Sequence, residues 1–271
     1  PYTAGTCITN SGTHNIIRDN GCATGVVTRV GVAYSGLPAT LGTAPGQVRL
    51  MSVELIVAHT NNNDLEIQLT SPSGQVRTLL MDRFGTGDNL GVPGSCTPLV
   101  LRDGATALTN GTQSNVVGPF APESTLAGFT GNPNGTWTFS FCDDATGSEG
   151  HVRMVRLTFC TVPQITAVNN GSPACGGAVA LGTTASGTAP LTYAWTGTGS
   201  FTPNAAAANV LVNGASSGNY TVTVSNSCGQ DSRVLPVVVG GVTTATISYG
   251  TMPRCRNEGI IAVTRTGTAG G

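Results

Sequence analysis

Residues 53–82 read VELIVAHTNNNDLEIQLTSPSGQVRTLLMD, and this stretch decides the fold class. Val53, Leu55 and Val57 alternate with other residues up to His59-Thr60. Asn61-Asn62-Asn63 breaks the pattern. Leu65, Ile67 and Leu69 then alternate against Glu66, Gln68 and Thr70, the period-two signature of a half-buried strand. Ser71-Pro72-Ser73-Gly74 is a turn, because proline presets φ and glycine supplies a positive one. Val76 to Leu80 carries the chain back. The stretch therefore predicts three short strands joined by two turns, within a β-sandwich.

The rest of the chain repeats that grammar. Asn15-Ile16-Ile17 and Val26 to Val30 are short strand candidates. Residues 83–130 read as a long irregular region, the kind of segment that usually holds functional loops. TWTFSFCD (136–143) returns to strict alternation, with Trp137, Phe139 and Phe141 on one side. DATGSEG predicts a hairpin loop and HVRMVRLTFC (151–160) the returning strand, with a bulge at Met154-Val155. Thr161-Val162-Pro163 reads as a linker. Beyond it, Val179–Leu181, Leu191–Trp195, Val210–Val212, Tyr220–Val224 and Val234–Val239 are spaced as in a seven-strand sandwich with Trp195 at its centre. Residues 242–271 echo the start of that module, with Cys255 in the place of Cys175. The expected organisation is all-β: a sandwich over 1–162, a second over 163–241, and an incomplete third module over 242–271.

Composition narrows the function classes. Among 271 residues only 9% are charged, against roughly 25% in an average soluble domain, and the net charge is −1. All 12 cationic residues are arginine. No basic face is on offer for nucleic acid, and no apolar run is long enough for a membrane-spanning helix. Eight widely spread cysteines without a CxxC pair argue for disulfides in an oxidising compartment, hence a secreted or cell-surface protein. No signal peptide precedes Pro1, which reads as a processed or cut chain.

Five cysteines fall in the first domain, Cys7, Cys22, Cys96, Cys142 and Cys160, so one of them pairs outside it or stays free. Cys142–Cys160 is not expected, because the two would lie at opposite ends of the hairpin. Cys175–Cys228 is the conventional choice for the second domain. An immunoglobulin topology places those positions at opposite ends of the sandwich, beyond the roughly 7 Å that a bridge spans, and a bridge between modules is the alternative.

His14, His59 and His151 are the only histidines, and no GxSxG elbow accompanies them, so catalysis is not expected. Oxygen-rich loops suggest calcium instead, with Asp64, Asp88, Asp103, Asp143 and Asp144 as candidate ligands, Asp103 and Asp143 foremost. The competing reading is that these are ordinary turn formers.

Particular motifs add a family resemblance over residues 15–160. His59-Thr60, Asp64 with LEIQLTSPSG, GTGDN (85–89), Arg102-Asp103-Gly104-Ala105, Leu126-Ala127-Gly128-Phe129 and NGTWTFSFCD (134–143) resemble the P domain (Homo B domain) that follows the catalytic domain of kexin- and furin-like proteases. Departures are Arg102, where an aspartate is common, and Met154-Val155, where a tryptophan is common. The resemblance implies a jelly-roll-like sandwich and, by analogy with bacterial P domains, calcium at these aspartates. Cys175-Gly176-Gly177, Tyr193-Ala194-Trp195 and GNYTVTVSNSCG (218–229) resemble Ig-like or PKD-like modules of secreted surface proteins from Bacteroidota-type bacteria.

The expected function is a non-catalytic structural or adhesive segment of a large extracellular protein, one form of which is a filament or surface-appendage component. Its partners would be neighbouring modules, other copies of itself, or surface glycans and proteins. Two alternatives are the accessory region of a subtilisin-like protease and a calcium-dependent surface- or carbohydrate-binding module.

Overall fold

The computed structural model describes Cys7, residues 15–171 and 177–240, and the backbone of Ala245–Ser248 and Thr264–Gly267. It divides the chain into two compact units. The first comprises Pro1–Gln164 together with Ala185–Thr192 and Val224–Asp231; the second comprises Ile165–Thr184, Tyr193–Thr223 and Ser232–Gly271.

The first sandwich contains β1 (Ile16–Ile17), β2 (Thr28–Tyr34), β3 (Val48–Ala58), β4 (Leu65–Thr70), β5 (Val76–Met81), β6 (Leu99–Thr106), β7 (Gly135–Asp143) and β8 (Gly150–Thr161). One sheet has the order β1-β8-β3-β6 and the other β2-β7-β4-β5. Eight antiparallel strands in two four-stranded sheets of this order, crossing between the sheets at every connection but β4–β5, form a jelly roll. Period two puts Leu65, Ile67 and Leu69 on one face of β4, and Trp137, Phe139 and Phe141 on one face of β7; all six are fully buried. They meet Val53, Leu55 and Val57 of β3 and Val155 of β8 in one continuous core. Burying each large side chain contributes on the order of 1.5–3 kcal/mol.

The three strands expected within residues 53–82 are present and are divided between the sheets, β3 in one and β4–β5 in the other. Three other expectations are corrected. The strands β7 and β8 are not a hairpin, because β7 pairs with β2 and β4 while β8 pairs with β1 and β3. An arch between sheets and a hairpin show the same alternation, so sequence pattern does not separate them. The irregular region at 83–130 contains β6, which alternates throughout but fully buries only Leu99 and Leu101. The irregularity on β8 lies where Ile56↔Met154 shifts to Val57↔Val152, which leaves Arg153 as the extra residue.

The second sandwich has β9 (Gln164–Asn169), β10 (Ala178–Ser186), β11 (Thr192–Thr196), β12 (Ser200–Thr202), β13 (Asn209–Asn213), β14 (Gly218–Asn226) and β15 (Gly229–Val237). Its sheets run β12-β13-β10-β9 and β11-β14-β15, the strand order of a seven-strand immunoglobulin-type domain. Trp195 on the third of these strands is buried, and its Nε1 donates to Ala207 O at 2.9 Å. Tyr220, near the start of the sixth, forms a tyrosine corner: its hydroxyl lies 3.2 Å from Ser216 O and 2.8 Å from Thr198 O. Val222, two residues on and fully buried, stands where antibody domains carry a cysteine. Beyond these strands, β16 (Ala245–Ser248) and β17 (Thr264–Gly267) pair antiparallel. The rest of the expected third module lies outside the described residues.

The cysteines pair as Cys7–Cys96, Cys22–Cys142 and Cys160–Cys228. Cys175 lies outside the described residues. The Cys175–Cys228 pairing is thus corrected: Cys228, in the turn between β14 and β15, lies in the first unit with its Cα 6.0 Å from that of Cys160. Cys22–Cys142 ties the short helix Gly21–Thr24 to β7 across 120 residues, a bridge that contributes on the order of 2–4 kcal/mol.

Candidate functional site

β3 ends at Ala58, and the chain must cross to the other sheet before β4 begins at Leu65. His59 to Asp64 make that crossing, and it is here that polar side chains converge. His59 Nε2 lies 2.9 Å from Asp143 Oδ2, with both side chains fully buried. Asp143 Oδ1 accepts from Ala145 N at 2.9 Å. His59 Nδ1 contacts Asn61, 3.1 Å from its N and 2.7 Å from its O. Nε2–H donates to the carboxylate, and Nδ1 meets the Asn61 backbone, donating to its O when protonated and accepting from its N–H when not. Both ring nitrogens are therefore engaged, and neither is left to take a proton from a serine hydroxyl. Gly150 belongs to the same arrangement: a Cβ there would stand 2.4 Å from His59 Cδ2, so β8 passes the imidazole only as glycine.

Asn62 is the hub of the neighbouring loops. Its side-chain amide donates to Asn89 O at 3.3 Å and to Gln113 O at 3.0 Å, and its backbone N–H donates to Gly87 O at 2.7 Å. One fully buried carboxamide thus joins the 85–89 and 113–116 loops to the β3–β4 crossing. The sequence shows Asn62 only as one of three asparagines in a turn.

The candidate calcium ligands do not converge on one point. Asp103 caps the single-turn helix Leu126–Gly128, its two oxygens accepting from Leu126 N and Ala127 N, each at 2.8 Å. Asp143 is engaged as described above. Asp88 is exposed, with Asn89 Nδ2 donating to its Oδ2 at 3.1 Å. Asp64 is buried and accepts from Asn61 Nδ2 at 2.7 Å. Burial, and then the negative charge of Asp143, push the Asp64 carboxyl above its ordinary pKa.

Asp144 adjoins Asp64, its N–H donating to Asp64 O at 2.9 Å, but its side chain looks to another group. Its carboxylate gathers with those of Glu66 and Asp82, with ligand oxygens all within 4.8 Å of one another. Burial first, then the charges of Asp82 and Asp144, raise the pKa of Glu66; burial first, then Asp144, raise that of Asp82. Three carboxylates with oxygen donors only suit a hard cation such as calcium, which completes its shell with water. Sequence reading missed Glu66 and Asp82. Their proximity follows from register, because Glu66 pairs with Met81 on one side and Cys142 on the other, which sets Asp82 and Asp144 near it.

No protein-family model matches the sequence, and no curated protein matches it. Among solved structures, the chain is similar to a crystal structure of Dpr2 Ig1-Ig2 in complex with DIP-Theta Ig1-Ig3, at 13% identity over 80% of this chain and 69% of that one, with a TM-score of 0.27. It is also similar to extracellular domains 3-5 of Drosophila OTK, at 12% identity over 76% of this chain and 100% of that one, with a TM-score of 0.26. Likenesses at this level carry no argument, and the description of each sandwich rests on its own strand order.

Proposed function

We propose that the chain is a non-catalytic, secreted structural or adhesive segment, in which a P-domain-type jelly roll is followed by an Ig-like sandwich. The observation that carries this reading is what the side chains capable of chemistry are doing. His59, Asp143 and Asp103 are engaged in fastening loops, and their bonding atoms face protein rather than a cleft. The three disulfides among the described residues favour an extracellular setting, since such bridges persist where the redox poise is oxidising. In this role the sandwiches present loops to partners, either other copies of the chain or surface proteins and glycans. In a filament, copies would associate through sheet edges, a mode favoured by the absence of lysine to blunt them. Electron micrographs and light scattering of the concentrated chain test this reading: assembly, or saturable retention on a cell or matrix surface, supports it. A strictly monomeric chain that no such surface retains would overturn it.

The calcium reading belongs with Glu66, Asp82 and Asp144 rather than with the five aspartates as a set, because there the carboxylates meet. A cation would relieve the mutual repulsion that raises the pKa values of Glu66 and Asp82. Thermal melting in millimolar calcium and in chelator should then differ by several degrees, with Asp82→Asn abolishing the difference. Identical melting curves would remove calcium from the account.

A further inference from the structure

An open groove of about 660 Å³ runs between the end of β6 and the 113–120 loop, a size typical of ligand sites. Among its lining residues only Arg102 is charged. Arg18, Arg83 and Arg156 each face a glutamate, whereas among the described residues nothing bonds or pairs with the exposed Arg102 guanidinium. Its neighbour Asp103 does not neutralise it by contact, since both carboxylate oxygens cap the 126–128 turn.

The rest of the groove is preorganised. Phe120 lines it half-buried, its ring held edge-on against Phe84 at 5.2 Å. Asn115 is held by its oxygen, which accepts from Asn89 Nδ2 at 3.3 Å, and its own amide nitrogen has no acceptor among the described residues. Gly118 has φ +75°, and a Cβ on it would meet Val100 O at 2.8 Å, so glycine lets this loop lie directly on β6.

We propose that this groove binds an acidic polysaccharide, with a uronate carboxylate on Arg102 and the C–H face of a pyranose ring against Phe120. A lone guanidinium with no counter-ion selects an anion, and its planar fork matches a carboxylate. The phenyl ring offers a fixed apolar surface beside that charge. The Asn115 amide donates to sugar hydroxyls. A single cation suits a polymer with one charge per sugar, whereas a densely charged polyanion would call for a cluster of cations. The groove is open rather than enclosed, which suits a segment of a longer chain. The proposal names a ligand for the extracellular role above, yet its binding test is independent of whether the chain assembles or adheres.

The test uses the full chain and calorimetric titration with oligogalacturonate, a neutral oligosaccharide of equal length, and an oligoglutamate peptide. The expected result is uronate binding at least about tenfold tighter than neutral sugar, weakening several-fold as salt rises. Arg102→Gln is a surface change that should leave the fold intact and lower uronate affinity about tenfold or more, with Arg102→Lys intermediate. Phe120→Leu should lower it several-fold, with near-UV dichroism checking that the core is unchanged. Equal affinity for neutral and acidic sugars, or no effect of Arg102→Gln, overturns the proposal. Peptide binding as tight as uronate binding, with the same Arg102 dependence, overturns it in favour of a protein partner.

Discussion

The two sandwiches fasten their connections by different means. In the first, long crossings between sheets are held by charged and amide side chains: His59 with Asp143, Asn62 across three loops, and Asp103 on the 126–128 turn. In the second, the connections are shorter. An indole and a phenol are prominent there, with Trp195 reaching Ala207 O and Tyr220 reaching Ser216 and Thr198, beside the Asn226 amide at the β14–β15 turn; Trp137 and Tyr34 play the indole and phenol part in the first sandwich, on Pro133 O and Leu157 O. The difference follows from topology. A jelly roll sends most successive strands to opposite sheets, β4–β5 being the exception here, so its long crossings expose backbone groups that need side-chain partners. The immunoglobulin-type order is closed by shorter turns and has no buried charged pair of the His59–Asp143 kind among the hydrogen bonds described above.

The largest effect expected from breaking this contrast is at the first unit's buried pair. Asp143→Ala leaves the buried His59 Nε2–H without its acceptor and Ala145 N without its cap, and a loss of about 2–3 kcal/mol in chemical denaturation is expected. The double variant with His59→Phe should recover part of that loss. If Asp143→Ala behaves like a surface change, the pair is not a fastener. A smaller effect is expected in the second sandwich: Tyr220→Phe keeps the ring packed and removes only the corner hydrogen bonds, at about 1 kcal/mol. A loss several times larger would mean that the corner resembles the first unit's network.

The smallest effect concerns pH. Glu66 and Asp82 have raised pKa values in the folded chain, so the folded state holds their protons more tightly than the unfolded one. That contribution to stability is fully present below the unfolded carboxyl pKa of about 4 and is lost as pH rises through the folded values. In the absence of calcium, Asp82→Asn should therefore stabilise the chain at pH 7 by a few tenths of a kcal/mol, because these groups face water. The gain should vanish near pH 4. A gain that persists unchanged in acid would show that charge repulsion is not its source.

Much of the architecture is legible in the sequence because burial on one face of a strand imposes period two. The alternation of Leu65, Ile67 and Leu69, and of Trp137, Phe139 and Phe141, places all six in the core without reference to any partner strand. Trp195 is legible for the same reason. The site is less legible. His59 and Asp143 are 84 residues apart and meet only because β3 and β7 end at the same edge of the sandwich. Glu66, Asp82 and Asp144 sit on or beside neighbouring strands, and single-chain pattern reading contains no register. Arg102 looks like an ordinary surface residue until the absence of any described partner is seen beside Phe120.

The sequence by itself determined that residues 53–82 are strands, that the chain is all-β, and that its cysteines belong to an oxidising setting. Those properties depend on local alternation and composition. Only the tertiary structure decided that the first strand of that stretch lies in one sheet and the next two in the other, and that Cys228 bridges to Cys160. Strand pairing depends on which hydrogen-bonding edges meet in space, and a hairpin and an arch bury the same residues.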